Sequence, residues 1–298
     1  ELLEKARETT LAENNKSHIN LYVALGIKSR ACLAEGDWDG AFKAAKRVID
    51  EGGYAVGTKS DLTSGMNSLD KQNVMWGAGI QVADQAGGYA GFFTHMDNKE
   101  GAYAKSAPKL ISKQLYNRIS ATDIRRDWWD PSDKESPYVS KKFSFANVAS
   151  FLGDYIYMRV EEMYFTAAEA ALRLDDLKSA RELMNTVMAE RDPGYSANNR
   201  SGTLLGATTT TWTGSFLENI LTHRRIELWG EYGRLFDVRR LGQGIDRRTD
   251  DGFSEECISM MNRRNVNITK ADTYDWVLTI PKAELDANPN INEEDQNP

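Results

Sequence analysis

Apolar residues recur at helical spacing at Ile19, Val23, Ile27, Ala31 and Ala34, and again, after Gly36-Asp37, at Trp38, Ala41, Phe42, Ala45, Val48 and Ile49. The spacing predicts two helices folded back on one another, with Gly52-Gly53 free to take the left-handed turn that ends the second. The same layout returns at Val160, Met163, Tyr164, Ala167, Ala171 and Leu174, followed by Leu177, Ala180, Met184, Val187 and Met188. A shift of 139 residues brings Ala31, Leu33, Asp37, Ala41 and Val48 onto Ala170, Leu172, Asp176, Ala180 and Val187. Small alanines at a crossing let helices approach closely, so residues 18–50 and 160–190 are expected to superpose as helix-turn-helix units.

Helix pairs of the tetratricopeptide type repeat about every 34 residues when they stack directly. The larger interval here makes residues 53–157 an insertion between repeat units, rich in glycine and in aromatics such as Trp76, Tyr89, Phe92, Phe93, Tyr103 and Tyr116. Beyond the second pair, Asp192-Pro193-Gly194 stops a helix and a polar loop runs through Thr208 to Trp212. Ser215-Phe216-Leu217-Glu218 then has the spacing of a capping box and opens another helix. Residues 242–273 read as charged and irregular, and Trp276 to Ile280 as a short extended piece stopped by Pro281. The fold class is mostly α, in a single domain over 1–298.

Composition narrows the partners. The 298 residues carry 44 acidic against 37 basic side chains, a formal net charge of -7, with no basic block, which excludes a nucleic-acid footprint. Cys32 and Cys257 stand in no CxxC or Cys/His spacing, which argues against zinc and redox motifs. Cys32 reads as core filler, with a disulfide to Cys257 left open. No window approaches the ~18 apolar residues of a membrane span. The chain starts at Glu1, already inside an apolar-periodic segment, and has the look of a fragment or a processed product.

Candidate chemistry lies in the insertion. Gly87-Gly88-Tyr89-Ala90-Gly91-Phe92-Phe93-Thr94-His95 places flat rings on a glycine-rich loop, and sugar rings present apolar CH faces that stack on such platforms. Asp84, Gln85, His95 and Asn98 are neighbours suited to hydroxyl groups. The alternative is that these aromatics only cover the helices beneath. Trp76, in Val74-Met75-Trp76-Gly77, fits the core of a short strand better than a platform, and Tyr103 is a further candidate. Asp123-Ile124-Arg125-Arg126-Asp127-Trp128-Trp129-Asp130 reads as a surface salt-bridge cluster with tryptophan packing, the other reading being a three-aspartate metal site. The three histidines, His18, His95 and His223, belong to no HExxH, nucleophile elbow or phosphate loop, so no catalytic motif, metal site or cofactor site is visible. A carboxylate pair for glycoside hydrolysis drawn from remote segments stays open.

The run from His223 to Gly242, HRRIELWGEYGRLFDVRRLG, alternates charge and bulk. Arg224, Glu227 and Glu231 fall on one helix face, and with Arg234 they are expected to form a partly buried network that pins the helix; an anion site is the alternative. With the tail Ile280-Pro281-Lys282-Ala283-Glu284-Leu285-Asp286-Ala287-Asn288-Pro289 and the final Gln296-Asn297-Pro298, this run resembles the carboxy-terminal part of SusD/RagB-like proteins. Those are nutrient-binding outer-membrane lipoproteins of Bacteroidetes. His223 stands where the family usually has Glu. The resemblance implies a SusD-like α-α superhelix of tetratricopeptide-type pairs, and non-catalytic binding of a glycan at the cell surface. It implies delivery to a TonB-dependent SusC-like porin that contacts the helix pairs, and membrane attachment through an amino-terminal lipid anchor outside this chain. Peptide binding, as in the RagB branch, is the alternative, followed by a plain repeat scaffold and a glycoside hydrolase.

Overall fold

The computed structural model describes residues 15–83, 91–197, 214–243 and 278–296. Helices α1 (Leu21–Glu35) and α2 (Trp38–Glu51) form one hairpin. The connecting segment holds the short turns α3 (Lys59–Leu62), α4 (Phe92–Met96), α5 (Ala102–Ser106) and α6 (Lys113–Tyr116), strands β1 (Val74–Ala78), β2 (Trp129–Asp130), β3 (Val139–Ser140) and β4 (Tyr155–Arg159), and a 3-10 turn at Ile124–Trp128. A second hairpin, α7 (Val160–Arg173) and α8 (Leu177–Ala189), is followed by α9 (Phe216–Glu227), α10 (Arg234–Arg240) and α11 (Lys282–Ala287).

The two hairpin turns are built alike. Gly36 and Asp175 both sit in the left-handed region, at φ 82° and 63°. The next residue closes each turn: Asp37 N–H donates to Cys32 O and Asp176 N–H to Ala171 O, both at 2.9 Å. Each of these aspartates then caps the following helix, accepting from Gly40 N at 2.9 Å and from Ser179 N at 3.0 Å. The sequence offset of 139 residues relates every one of these atoms to its counterpart.

α7 is the axis of the molecule. It packs on α2, α8 and α9, and twelve of its fourteen residues are buried, which is the condition of a helix apolar or paired on every side. Ala45, Ala167, Ala168 and Ala171, each at most 1% exposed, line the contacts and leave room for Val48, Met163, Met184 and Phe216 to interlock. Ser215 caps α9 by accepting from Glu218 N, but Glu218 reaches back to Gly214 N, so only half of the expected capping box forms.

The connecting segment carries cores of its own. Leu62, Ile111, Leu115, Trp128 and Trp129 gather around Ile226 of α9, and Met66, Phe93, Phe143 and Phe145 form a second cluster. β1 pairs antiparallel with β4, Val74 opposite Arg159 and Ala78 opposite Tyr155, with a register shift on either side of Trp76. Because β4 runs straight into α7, the ribbon is fixed to the helical axis. In the tail, the Gln296 side chain accepts from Ile280 N at 2.7 Å and donates to Ile280 O at 2.9 Å, tying the two ends of the segment together.

Candidate ligand-binding site

The β1–β4 ribbon places alternate side chains on one face, and that face is aromatic. Trp76 meets Tyr157 edge-on, with centroids 5.1 Å apart. Phe92, at the start of α4, packs edge-on against Phe143 at 5.3 Å and tilts toward Tyr155 at 5.9 Å, while its N–H donates to the Tyr155 hydroxyl at 3.3 Å. Opposite them runs the turn Gly230–Tyr232. These walls enclose a cavity of about 480 Å³, lined also by Arg30, Met66, Ile156 and Glu231, a size suited to a small-molecule ligand. Gly230 adopts φ 75°, and a Cβ there would lie 2.6 Å from the Phe143 ring, so glycine is required by both conformation and space. Among the described residues, no group hydrogen-bonds to the Trp76 Nε1–H or to the Tyr157 and Tyr232 hydroxyls, so neutral polar groups stay available around an apolar interior.

The turn is anchored by a buried charge cluster. Glu227 binds Arg125, Arg159 and Arg191 at 3.0–3.1 Å, Arg159 and Arg191 also hold Glu161, and Arg125 is matched by Asp123 at 2.6 Å. Glu231 binds Arg159 and Lys142, whose ammonium also donates to the carbonyls of Glu227 and Trp229 at 2.7 and 2.9 Å. Burial pushes the Glu227 carboxyl up, but Arg191, Arg159 and Arg125 outweigh it and hold it well below the usual range. The surface cluster expected around Asp123 and Arg125 is thus corrected: Arg125 is fully buried, because the carboxylates that neutralise it lie beside it and on α9. The expected quartet is also redistributed. Arg224 and Glu227 turn to different partners, Arg224 to Asp237 and Glu162, and Arg234 bonds to Gln243. Among the described residues, no group of His, Cys, Asp and Glu side chains is arranged to hold a metal ion.

Lys142 gives a measurable consequence. Burial pushes its ammonium down to about 8 from the ordinary 10.5, against the pull of Glu231. A folded pKa below the unfolded one contributes stability that is complete above the unfolded value and is lost as pH falls through the folded value. The melting temperature is expected to rise between about pH 8 and 9, and the slope to be smaller in Lys142→Met, where Lys16, also pushed down by burial, still acts in the same sense. Tyr54, Tyr164 and Tyr232, pushed up by burial, act in the opposite sense only above that window, whereas Cys32, pushed up from an ordinary value of 9.0, already opposes the rise near its upper end. A Lys142→Met profile as steep as the parent's would refute the assignment.

Of the aromatic candidates read from the sequence, Trp76 and Phe92 line the cavity. Phe93 is 1% exposed, with its ring so close to Gly153 that a Cβ there would lie 2.5 Å from it; it is a core residue and offers no free face. His95 and Tyr103 stack in parallel at 4.5 Å on the exposed surface of α4 and α5, outside the lining. Asn98 is occupied in joining Lys109 N to Ser140 O. Tyr89, Asp84, Gln85 and Cys257 lie outside the described residues. Tyr155, Tyr157, Phe143 and Tyr232 were not singled out; the alternation Tyr155-Ile156-Tyr157 ahead of an apolar helix was the available signal.

The model of the SusD family matches residues 93–298. Solved structures with this fold include a SusD-like carbohydrate binding protein from Bacteroides vulgatus, 26% identical with a TM-score of 0.73, the match covering 97% of this chain and 63% of that one. A SusD superfamily protein from Bacteroides thetaiotaomicron is 23% identical, with a TM-score of 0.75 and coverage of 99% and 64%. Another from Bacteroides vulgatus is 20% identical, with a TM-score of 0.77 and coverage of 99% and 63%. The chain therefore spans less than two thirds of the length of each. No curated protein matches it.

Proposed function

The chain belongs to the SusD family, and from that premise we propose that it is a non-catalytic protein that binds a glycan at the cell surface and passes it to a TonB-dependent, SusC-like porin. The observation that carries this reading is the cavity beside the β1–β4 ribbon. Its rings, Trp76, Phe92, Tyr157 and Tyr232, suit the apolar faces of a pyranose, and its free indole N–H and phenol hydroxyls suit the sugar's hydroxyl groups. The relative from Bacteroides vulgatus named as carbohydrate binding supports the same ligand class. His95 and Tyr103 form a second exposed ring pair on which a longer chain of sugars would run.

The helix hairpins are the face offered to the porin. Among the described residues no helix is long and apolar enough to cross a membrane, and attachment at the outer membrane falls to an amino-terminal lipid anchor of the kind the family carries. Affinity electrophoresis against a polysaccharide panel, run beside a reducing-end assay, tests the reading. Retardation by a polysaccharide without new reducing ends is expected. Release of reducing ends would identify a hydrolase, and binding of peptides in place of glycans would favour the RagB-like alternative.

A further inference from the structure

We propose that the sugar received in this cavity is acidic, and that Arg30 takes its carboxylate through Nη1. The inference rests on the glycan-binding reading and adds the class of sugar to it. Arg30 projects from α1 into the cavity lining. Its Nε and Nη2 donate to the two oxygens of Glu162 at 2.8 and 2.6 Å, Nη2 also donates to Tyr157 O at 2.8 Å, and the guanidinium plane lies 3.7 Å from the centre of the Tyr232 ring. Nη1 makes no hydrogen bond among the described residues. A guanidinium held on two sides and by its face presents its remaining donors in a fixed direction, so little entropy is lost when an acceptor arrives.

The charge of Arg30 is not fully cancelled by Glu162, because Glu162 is shared. Its Oε1 lies 3.6 Å from Arg224, Arg224 binds Asp237 at 3.1 Å, Asp237 binds Arg240 at 2.8 Å, Arg240 binds Glu169 at 2.7 Å, and Glu169 lies 3.5 Å from Arg173. Four guanidiniums thus alternate with three carboxylates, and one positive charge is left over on a ladder whose Arg30 end opens into the cavity. The other charge in the lining, Glu231, is matched by Lys142 and Arg159. A carboxylate at Nη1 completes the alternation and gains charge-assisted hydrogen bonds in a half-enclosed space, where such bonds are stronger than in water. A neutral hydroxyl at the same place accepts a bond but leaves the charge in excess.

The test compares each acidic polymer with its own neutral form. Galacturonan, alginate and hyaluronan are titrated into the protein by calorimetry, each beside its carboxyl-reduced product, together with neutral glucans and mannans. At least one acidic polymer is expected to bind about tenfold more tightly than its reduced form, the loss of one charge-assisted contact. In Arg30→Gln the two forms are expected to bind alike. The comparison of acid with reduced polymer requires no substitution, so it holds even if the variant fails to fold. Binding confined to neutral glycans, or equal binding of acid and reduced forms, overturns the inference and leaves the glycan reading standing. Binding of no polysaccharide, acidic or neutral, removes both.

Discussion

Glu227→Gln is expected to lower the melting temperature by about 5 to 8 °C, from a loss of about 3 to 5 kcal/mol. The substitution preserves shape and removes one charge from the centre of a buried cluster. Four cations, Arg125, Arg159, Arg191 and Lys142, are balanced in the parent by Asp123, Glu161, Glu227 and Glu231. With Glu227 neutral, four positive charges face three negative ones where water does not reach, and the penalty is that of a stranded buried charge rather than of one missing bond. Asp39→Asn is the contrast: its partner Lys43 is exposed, and a surface pair of this kind contributes about 0 to 1 kcal/mol. Thermal melts of the two variants decide it, and a Glu227→Gln protein that melts with the parent would sink the account of the cluster.

For binding, Tyr157→Ala and Trp76→Ala are each expected to weaken a bound glycan by roughly 1 to 3 kcal/mol, the range of aromatic hot spots, with the fold retained. Tyr157 is 42% exposed and its ring rests on Trp76, so truncation removes a wall of the cavity and little of the core. Phe93→Ala should behave in the opposite way. Its ring is buried among Phe92, Phe145 and Tyr155, and its loss should cost about 3 to 5 kcal/mol of stability with the affinity of the folded molecules unchanged. Calorimetric titration paired with melts separates the two patterns. Equal affinity in all three variants would place the ligand elsewhere, and His95 and Tyr103 would be the next residues to truncate.

The helices of the two hairpins were legible in the sequence because they bury side chains at a period that the chain itself displays, whereas α11 (Lys282–Ala287) buries no residue and left no such pattern to read. The cavity was half legible. Trp76 and Phe92 stand in short aromatic or glycine-rich stretches that draw notice, whereas Tyr155 and Tyr157 acquire their role only when β4 pairs with β1, and that register is invisible to a local pattern. Phe93 shows the reverse error: its neighbour on the chain lines the cavity, but adjacent residues of a helical turn point apart, and one of the two faces inward. Arg125 was read as a surface residue because a mixed run of charges and tryptophans usually is one. What buries it is Glu227, about a hundred residues away, and spacing along one helix cannot reveal a partner on another element.

The Lys142 ammonium, by gripping the carbonyls on either side of Leu228 together with Glu231, has a kinetic meaning for the cavity above it. The Gly230–Tyr232 wall has its shape before any ligand arrives, held from beneath by Lys142 and Arg159, which lie outside the cavity lining. Little of the binding free energy is then spent on ordering the receptor, and encounter need not wait for a rare open state. On the glycan-binding reading proposed above, association should follow a single exponential whose rate rises linearly with ligand concentration.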